Sequence, residues 1–259
     1  MMSSTSPLIT RLRHDTKRRV LSVSRVEQLS AKMVRVVVQG DELEGFVSAG
    51  FDDHIKLLFP AGTGLEPSAL SVRDYTPRRF DAESGELWID FFLHDAGPAT
   101  TWAAQAAVGQ AVEIGGPRGS FVISPQGIDH HVLIGDETAL PAINRRLDEL
   151  PAYTRALVIA EVDDAAEWPA FASAATIETR WIERGSYGAQ TPADGLIAKL
   201  RTLELPSERS FFWVALESQS ARAVRRYLKE ERAIDKAWVK AAAYWKRGVS
   251  GAKDKLDDE

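Results

Sequence analysis

The 259-residue chain carries 32 Lys and Arg against 37 Asp and Glu, a net charge of −5, with 44% hydrophobic and 27% charged residues. That is the composition of a globular protein of one large or two ordinary domains, and it excludes bulk nucleic-acid binding, which needs a basic footprint. No apolar run reaches the roughly 18–20 residues of a membrane span, and the lack of cysteine excludes disulfides, thiolate nucleophiles and cysteine-ligated clusters. Redox chemistry here must rest on a bound cofactor, and an anionic ligand on a local basic patch. The composition suits a reducing cytoplasm.

The N-terminus is Ser/Thr-rich and then basic (Arg11, Arg13, Lys17, Arg18, Arg19), without the apolar core of a secretory signal. It reads as a solvated arm leading into the first strand, with an amphipathic transit peptide as the alternative. Val34, Val36 and Val38 alternate with Arg35, Val37 and Gln39 until Gly40-Asp41, which is a strand pattern. His54–Phe59 is a second strand, ended by Pro60 and a Gly-rich loop, and Leu87–Leu93 is a third. Ala111–Ile114 is a fourth, stopped by Gly115-Gly116-Pro117-Arg118-Gly119. Short strands at this spacing predict a closed antiparallel barrel, interrupted by one short helix around Ala99–Ala107.

Near Gly127 the pattern changes. His131–Gly135 is a short apolar strand, and Ala139, Leu140, Ile143, Leu147 and Leu150 then fall at helical spacing. Leu157–Val162, Thr179–Ile182 and Phe211–Leu216 are further strands, with helices near Asp194–Leu203 and Ser220–Arg232. Alternating strands and helices imply a parallel sheet with both faces covered. The chain then runs into an aromatic-basic cluster within Trp238–Gly248 and a charged end, Asp254–Glu259, expected to be disordered. The division is therefore a barrel domain over 1–127 and an α/β domain over 128–259.

Six segments stand in order: DHIKLLFP (Asp53–Pro60), RDYTPRRFD (Arg73–Asp81), HDAGPAT (His94–Thr100), GGPRGSF (Gly115–Phe121), GDETALPAI (Gly135–Ile143) and YWKRG (Tyr244–Gly248). With these, the chain resembles the siderophore-interacting protein family, the flavin-dependent ferric-siderophore reductases of the ferredoxin–NADP reductase superfamily. The resemblance spans about residues 20 to 250. Each segment alone is unspecific; the ordered set is not. The fold it implies is β + α/β: an N-terminal antiparallel FAD-binding β-barrel followed by a parallel-sheet NAD(P)-binding domain, with the C-terminal tail returning to the flavin.

The resemblance also assigns residues. Arg73 would pair with an FAD phosphate through its guanidinium fork. Tyr75 would lie against the isoalloxazine ring, and Thr76 would hydrogen-bond near its reactive nitrogen. Alternation along the strand lets Arg73, Tyr75 and Thr76 share one face. Ala99, Thr100 and Thr101 open a helix whose free N–H groups suit the pyrophosphate, although an ordinary helix cap uses the same donors. His94 is a second flavin contact or a structural residue. Thr138 and Ala139 would open the first α/β helix toward the nicotinamide cofactor, the alternative being a cap by Asp136 or Thr138. Tyr244 or Trp245 would cover the opposite flavin face. Relatives often have glycine where this chain has Leu216 and Ala243, and arginine where it has Lys246; at Leu216 a side chain would narrow access near the nicotinamide.

The implied reaction passes electrons from NAD(P)H through FAD to the Fe(III) of a ferric siderophore. The acidic end of the second α/β strand, Glu161-Val162-Asp163-Asp164, favours NADH over NADPH, because a carboxylate there suits a ribose hydroxyl and repels a 2′-phosphate; a polar turn is the alternative reading. Lys56, Arg78, Arg79, Arg118, Lys246 and Arg247 are the expected basic rim for an anionic siderophore. The five histidines show no metal-ligand spacing, so no metal site is expected. Nor is any hydrolytic triad visible. The rival readings are an NAD(P)H:flavin or quinone-type reductase, a reductase fed by ferredoxin, and a non-catalytic ferric-siderophore binder.

Overall fold

A computed structural model describes residues 6–60, 70–94, 97–165, 168, 171–186, 191–206, 209–249 and 256. The Gly-rich loop after Pro60, Asp95 and Ala96 of the HDAGPAT segment, and all of the charged end except Leu256 lie outside the described residues. The chain divides into two units, Thr10–Val122 and Ile123–Glu259, the latter joined by the residues up to Ile9.

The first unit is built on seven antiparallel strands: β2 (Arg18–Ser30), β3 (Met33–Gln39), β4 (Ile55–Pro60), β5 (Leu70–Tyr75), β6 (Arg79–Asp81), β7 (Glu86–Phe92) and β8 (Ala111–Gly115). Their order in the sheet is β5-β4-β8-β2-β3-β7-β6. Alternation decides which face is buried. Ile55, Leu57 and Phe59 on β4, and Leu87, Ile89 and Phe91 on β7, are at most 1% exposed and face a common core. Burial of each such side chain contributes about 1.5–3 kcal/mol. Helix α1 (Pro98–Ala104) packs its Trp102 ring against Phe59 and Phe91, at centroid separations of 5.5 and 5.6 Å.

The end strands β5 and β6 are joined only by Thr76, Pro77 and Arg78. So short a link reaches less than about 15 Å, which curls the sheet until its first and last strands adjoin. Among the described residues no ladder pairs β5 with β6, and Pro77 has no N–H to offer one. The chain itself thus joins the two end strands at this corner.

The basic N-terminal arm is not simply solvated. Ile9–Arg13 forms strand β1, which pairs with β9 (Gly119–Ile123). Arg11 stacks over Phe121, 5.4 Å from its centroid. Arg19, only 4% exposed, donates to the carbonyls of Glu42 (2.8 Å) and Gly116 (3.3 Å).

The second unit is a five-stranded parallel sheet: β10 (His130–Asp136), β11 (Arg155–Val162), β12 (Thr176–Glu183), β13 (Ser210–Glu217) and β14 (Val239–Trp245). The order is β12-β11-β10-β13-β14, with every neighbouring pair parallel. Helices α2 (Leu140–Glu149), α3 (Pro192–Arg201) and α4 (Ser218–Arg226) connect the strands. β13 is buried at every position, as a strand covered on both faces must be. The helix expected over Ser220–Arg232 starts at Ser218 and widens at Tyr227–Glu231 into a π-helical turn. β14 has no counterpart in the sequence pattern. Its Ala241-Ala242-Ala243 run has poor strand propensity, and pairing with the edge of β13 overrides it.

Candidate functional site

In the first unit the RDYTPRRF segment forms the corner where the barrel closes. Arg73 and Tyr75 stand opposite Leu57 and Ile55 of β4, so both face the core side of the sheet. Thr76 lies one residue past the end of β5 and is buried, so the shared face holds Arg73 and Tyr75 only. The Tyr75 ring packs 4.4 Å from that of Phe91, which in turn touches Trp102 of α1. Desolvation raises the Tyr75 pKa above its ordinary value, against the lowering effect of the Arg73 charge. The phenol therefore stays protonated and neutral.

Helix α1 begins at Gly97 with no side-chain cap, and its first backbone bond runs from Thr101 N to Gly97 O (2.8 Å). The N–H groups of Ala99 and Thr100 precede that bond and have no partner within the helix. The Thr100 hydroxyl is buried and also lacks a hydrogen-bond partner. A buried hydroxyl left unbonded costs about 1–3 kcal/mol, so its position beside free N–H groups fits an anionic group held there. Tyr75 and α1 are thus linked through one aromatic cluster. His94 is exposed, with its ring 6.3 Å from Phe92.

The basic residues separate. Lys56 sits between Asp74, to which its ammonium donates (3.1 Å), and Gly115, which opens the turn bearing exposed Arg118. Arg78 donates its backbone N–H to Trp88 O (2.9 Å). Arg79 is drawn to the outer face of the sheet, where it pairs with Asp81 (3.2 Å) and lies 5.0 Å from the Trp88 centroid. Arg25 and Arg35 also stack on that indole, and Arg35 grips the buried Asp90 with two bonds of 2.7 and 2.9 Å.

The turn itself is anchored by a hub that the sequence did not single out. Ser120 Oγ donates to Asp53 Oδ2 (2.6 Å) and accepts from Ala49 N (3.1 Å), with His14 Nε2 at 2.7 Å. Serine, histidine and aspartate meet here, but the carboxylate takes the serine proton and does not orient the imidazole. The set therefore lacks the arrangement of a hydrolytic triad. It ties the Asp53 and Ser120 segments together.

In the second unit the strand order reverses at β10 and β13, and ligands of doubly wound sheets bind outside the carboxyl ends of strands at such a point. Gly135 allows the next helix to approach: a Cβ there would lie 2.6 Å from Ala139 Cβ and 3.1 Å from Ile143 Cδ1. Ala139 is fully buried by this packing. Asp136 caps the turn after β10, accepting from Thr138 N (3.0 Å) and Thr138 Oγ1 (2.5 Å) on Oδ1, while Oδ2 accepts from Trp245 Nε1 (2.7 Å). Burial pushes the Asp136 pKa up to about 6, against the lowering effect of the Thr138 and Trp245 bonds.

Glu217 repeats the arrangement at the end of β13. Its Oε2 accepts from Gln219 N (2.7 Å) and its Oε1 from Arg247 N (3.2 Å). The β13–β14 register slips here, pairing Leu216 with Ala243 and Glu217 with Trp245. Tyr244 is the residue passed over, and its ring meets Trp213 edge-on at 6.0 Å. Lys246 and Arg247 are exposed, with Arg247 lying 5.8 Å from the Trp245 ring. Leu216 is fully buried in the core, so its side chain does not narrow a cleft.

A third feature, without a motif in the sequence, lies at the carboxyl ends of β10, β11 and β12. Arg184 bonds Glu137 (2.6 and 3.1 Å) and Asp163, with Glu161 at 3.8 Å. Burial works against the Arg184 cation, and the Glu137 bonds more than offset it, so its pKa stands above the ordinary value. The acidic end of β11 is visible in the sequence; its guanidinium partner, some twenty residues on, is not marked by any pattern.

Two family models match the chain. "Siderophore-interacting FAD-binding domain" covers residues 22–71 and 65–121, and "Siderophore-interacting protein" covers 128–248. The chain is 33% identical to an NADPH-dependent ferric-chelate reductase of Escherichia coli (strain K12), over 94% of this chain and 99% of that protein. It is 31% identical to the ferric vibriobactin reductase of Vibrio cholerae, over 89% and 90%. A solved siderophore utilization protein from T. fusca superposes with a TM-score of 0.84 at 36% identity, over 95% and 99% of the two chains. A ferredoxin NADP+ reductase from Neisseria gonorrhoeae shares the fold, with a TM-score of 0.59 at 12% identity, over 88% and 99%.

Proposed function

The chain belongs to the siderophore-interacting protein family, and from that premise we propose that it is an FAD-dependent ferric-siderophore reductase. The observation that carries the cofactor assignment is the buried, unpartnered Thr100 hydroxyl at the uncapped start of α1. In this reading Thr100 and the N–H groups of Ala99 and Thr100 hold the pyrophosphate. Arg73 pairs with a phosphate oxygen, and Tyr75, neutral and braced by Phe91, offers its ring to the flavin. Bound FAD would supply the conversion of a two-electron donor's reducing equivalents into single electrons for Fe(III). The iron arrives as substrate inside its chelate, and hard oxygen donors hold Fe(II) far less tightly than Fe(III), so reduction releases it.

Lys56, Arg78, Arg79 and Arg118 on the first unit are proposed contacts for an anionic siderophore, as are Lys246 and Arg247 on the second. Lys56 and Arg79 already share their charge with Asp74 and Asp81. For the donor we favour NADH. Glu137, Glu161 and Asp163 surround Arg184, so a 2′-phosphate would meet excess negative charge where an NADPH site needs a cation.

Three measurements test the reading. The purified protein carries a flavin spectrum. Stopped-flow reduction is faster with NADH than with NADPH; a preference for NADPH refutes the donor assignment. Chemically reduced protein, mixed anaerobically with ferric siderophores and a ferrous chelator, yields chelated Fe(II). No flavin-dependent Fe(II) from a panel of catecholate and hydroxamate complexes would sink the reductase reading.

A further inference from the structure

Two buried carboxylates grip the same short segment at the switch point of the parallel sheet. Asp136 is 1% exposed and Glu217 9% exposed. Each uses one oxygen to cap the helical turn that follows its strand and the other to hold the end of β14. Asp136 takes the indole N–H of Trp245, and Glu217 takes the backbone N–H of Arg247. The two anchors flank Lys246. Between them the register slip at Leu216/Glu217 skips Tyr244, and the ladder resumes only at Trp245, the last residue of β14, so pairing with β13 does not extend to Lys246 and Arg247. The carboxylates hold the chain where that pairing runs out.

We propose that Asp136 and Glu217 are positioning residues that fix the Trp245–Arg247 segment, and with it the cationic side chains of Lys246 and Arg247, for the ferric siderophore. The inference rests on the reading that these cations bind the substrate. Neither carboxylate needs to touch substrate or cofactor. Their caps anchor them to α4 and to the turn leading into α2, so the segment inherits the rigidity of the sheet's carboxyl edge. A terminal basic segment held only by one edge ladder would fray.

Asp136→Asn is the discriminating variant. Asparagine caps a helix as well as aspartate does, so the bond from Thr138 N survives. The amide then turns its NH2 toward Trp245, and two donors face each other. In the FAD-loaded enzyme, assayed for Fe(II) release from a ferric tris-catecholate, D136N raises KM by about fivefold, the order of one lost hydrogen bond. Its kcat and flavin content stay at the wild-type level. E217Q acts in the same direction. W245F, which keeps the carboxylate and the cap, also raises KM, and D136N adds nothing further in the W245F background. Should D136N not fold, W245F and E217Q carry the test.

The control is Lys246→Ala with Arg247→Ala. If this pair raises KM while D136N, E217Q and W245F do not, the positioning role is wrong and the substrate reading stands. If the pair leaves KM unchanged, the substrate reading fails and the proposal falls with it. A D136N variant that loses kcat and KM together, or loses flavin, shows a general structural role and overturns the proposal as well.

Discussion

Asp136 makes a stability prediction with an unusual sign. Its carboxyl is pushed from 3.8 to about 6 in the folded protein, chiefly by burial, with the adjacent Glu137 charge adding to the rise and the bonds from Thr138 and Trp245 opposing it. The folded state therefore binds this proton more tightly than the unfolded chain does, and stability falls as pH rises through the window between the two values. The group's contribution is complete below about pH 4 and is lost above about pH 6. The whole span is roughly 3 kcal/mol, since each tenfold gain in proton affinity is worth about 1.4 kcal/mol. Between pH 8 and pH 5 the change is roughly 1.4 kcal/mol in favour of the acid side. Other carboxylates titrate nearby, so the measurement is a difference: denaturant unfolding of wild type and of D136N at several pH values, which cancels what the two share. The wild type gains on the variant as pH falls from 8 to 5. A difference that is flat in pH, or that runs the other way, refutes the argument that burial outweighs the hydrogen bonds at this carboxylate.

Three further outcomes follow from the geometry. Gly135→Ala brings a Cβ to 2.6 Å from Ala139 Cβ and costs about 1–3 kcal/mol, as overpacking does, read by denaturant unfolding; an unchanged midpoint contradicts it. Thr100→Val removes a buried hydroxyl with no protein partner, so the apo protein is at least as stable, by up to about 1–3 kcal/mol, while FAD affinity falls about fivefold, the order of one hydrogen bond, by fluorescence titration. Equal loss of stability and affinity would mean the hydroxyl is structural. Ser120→Ala strips a partner from Asp53, His14 and Ala49 N and destabilises the protein by roughly 2–3 kcal/mol in urea unfolding, an outcome refuted by a change under about 0.5 kcal/mol.

Periodicity made the strands legible where one face is buried. Val34, Val36 and Val38, or Leu87, Ile89 and Phe91, could hardly lie otherwise. β1 and β14 escaped notice because their sequences do not alternate cleanly: β1 is mostly exposed, and β14 carries three successive alanines. Both are specified by partner strands distant in sequence, and a local pattern does not hold that information. Among the proposed site residues, Arg73, Tyr75 and Thr100 were visible through ordered motifs. Asp136 was legible only as a possible cap. Its bond to Trp245 joins residues 109 apart, and Arg184 joins Glu137 across 47. Contacts of that kind arise from strand order, which places the carboxyl ends of β10, β11, β12 and β13 side by side whatever their separation along the chain.

The two candidate regions share a physical origin. At Thr76–Arg78 the barrel closes without a ladder, and at Leu216/Glu217 the edge pairing of β14 slips. A backbone ladder satisfies its own polar groups and leaves side chains nothing to do but pack. Where it stops, N–H groups, carboxylates and cations must find other partners. At the corner, Arg78 N turns to Trp88 O; at the bulge, Arg247 N turns to Glu217. Such breaks persist only where surrounding contacts over-determine them, here Tyr75 against Phe91 and Trp245 against Asp136. A sheet with intact ladders in both places would leave these polar groups nothing to seek outside the ladder.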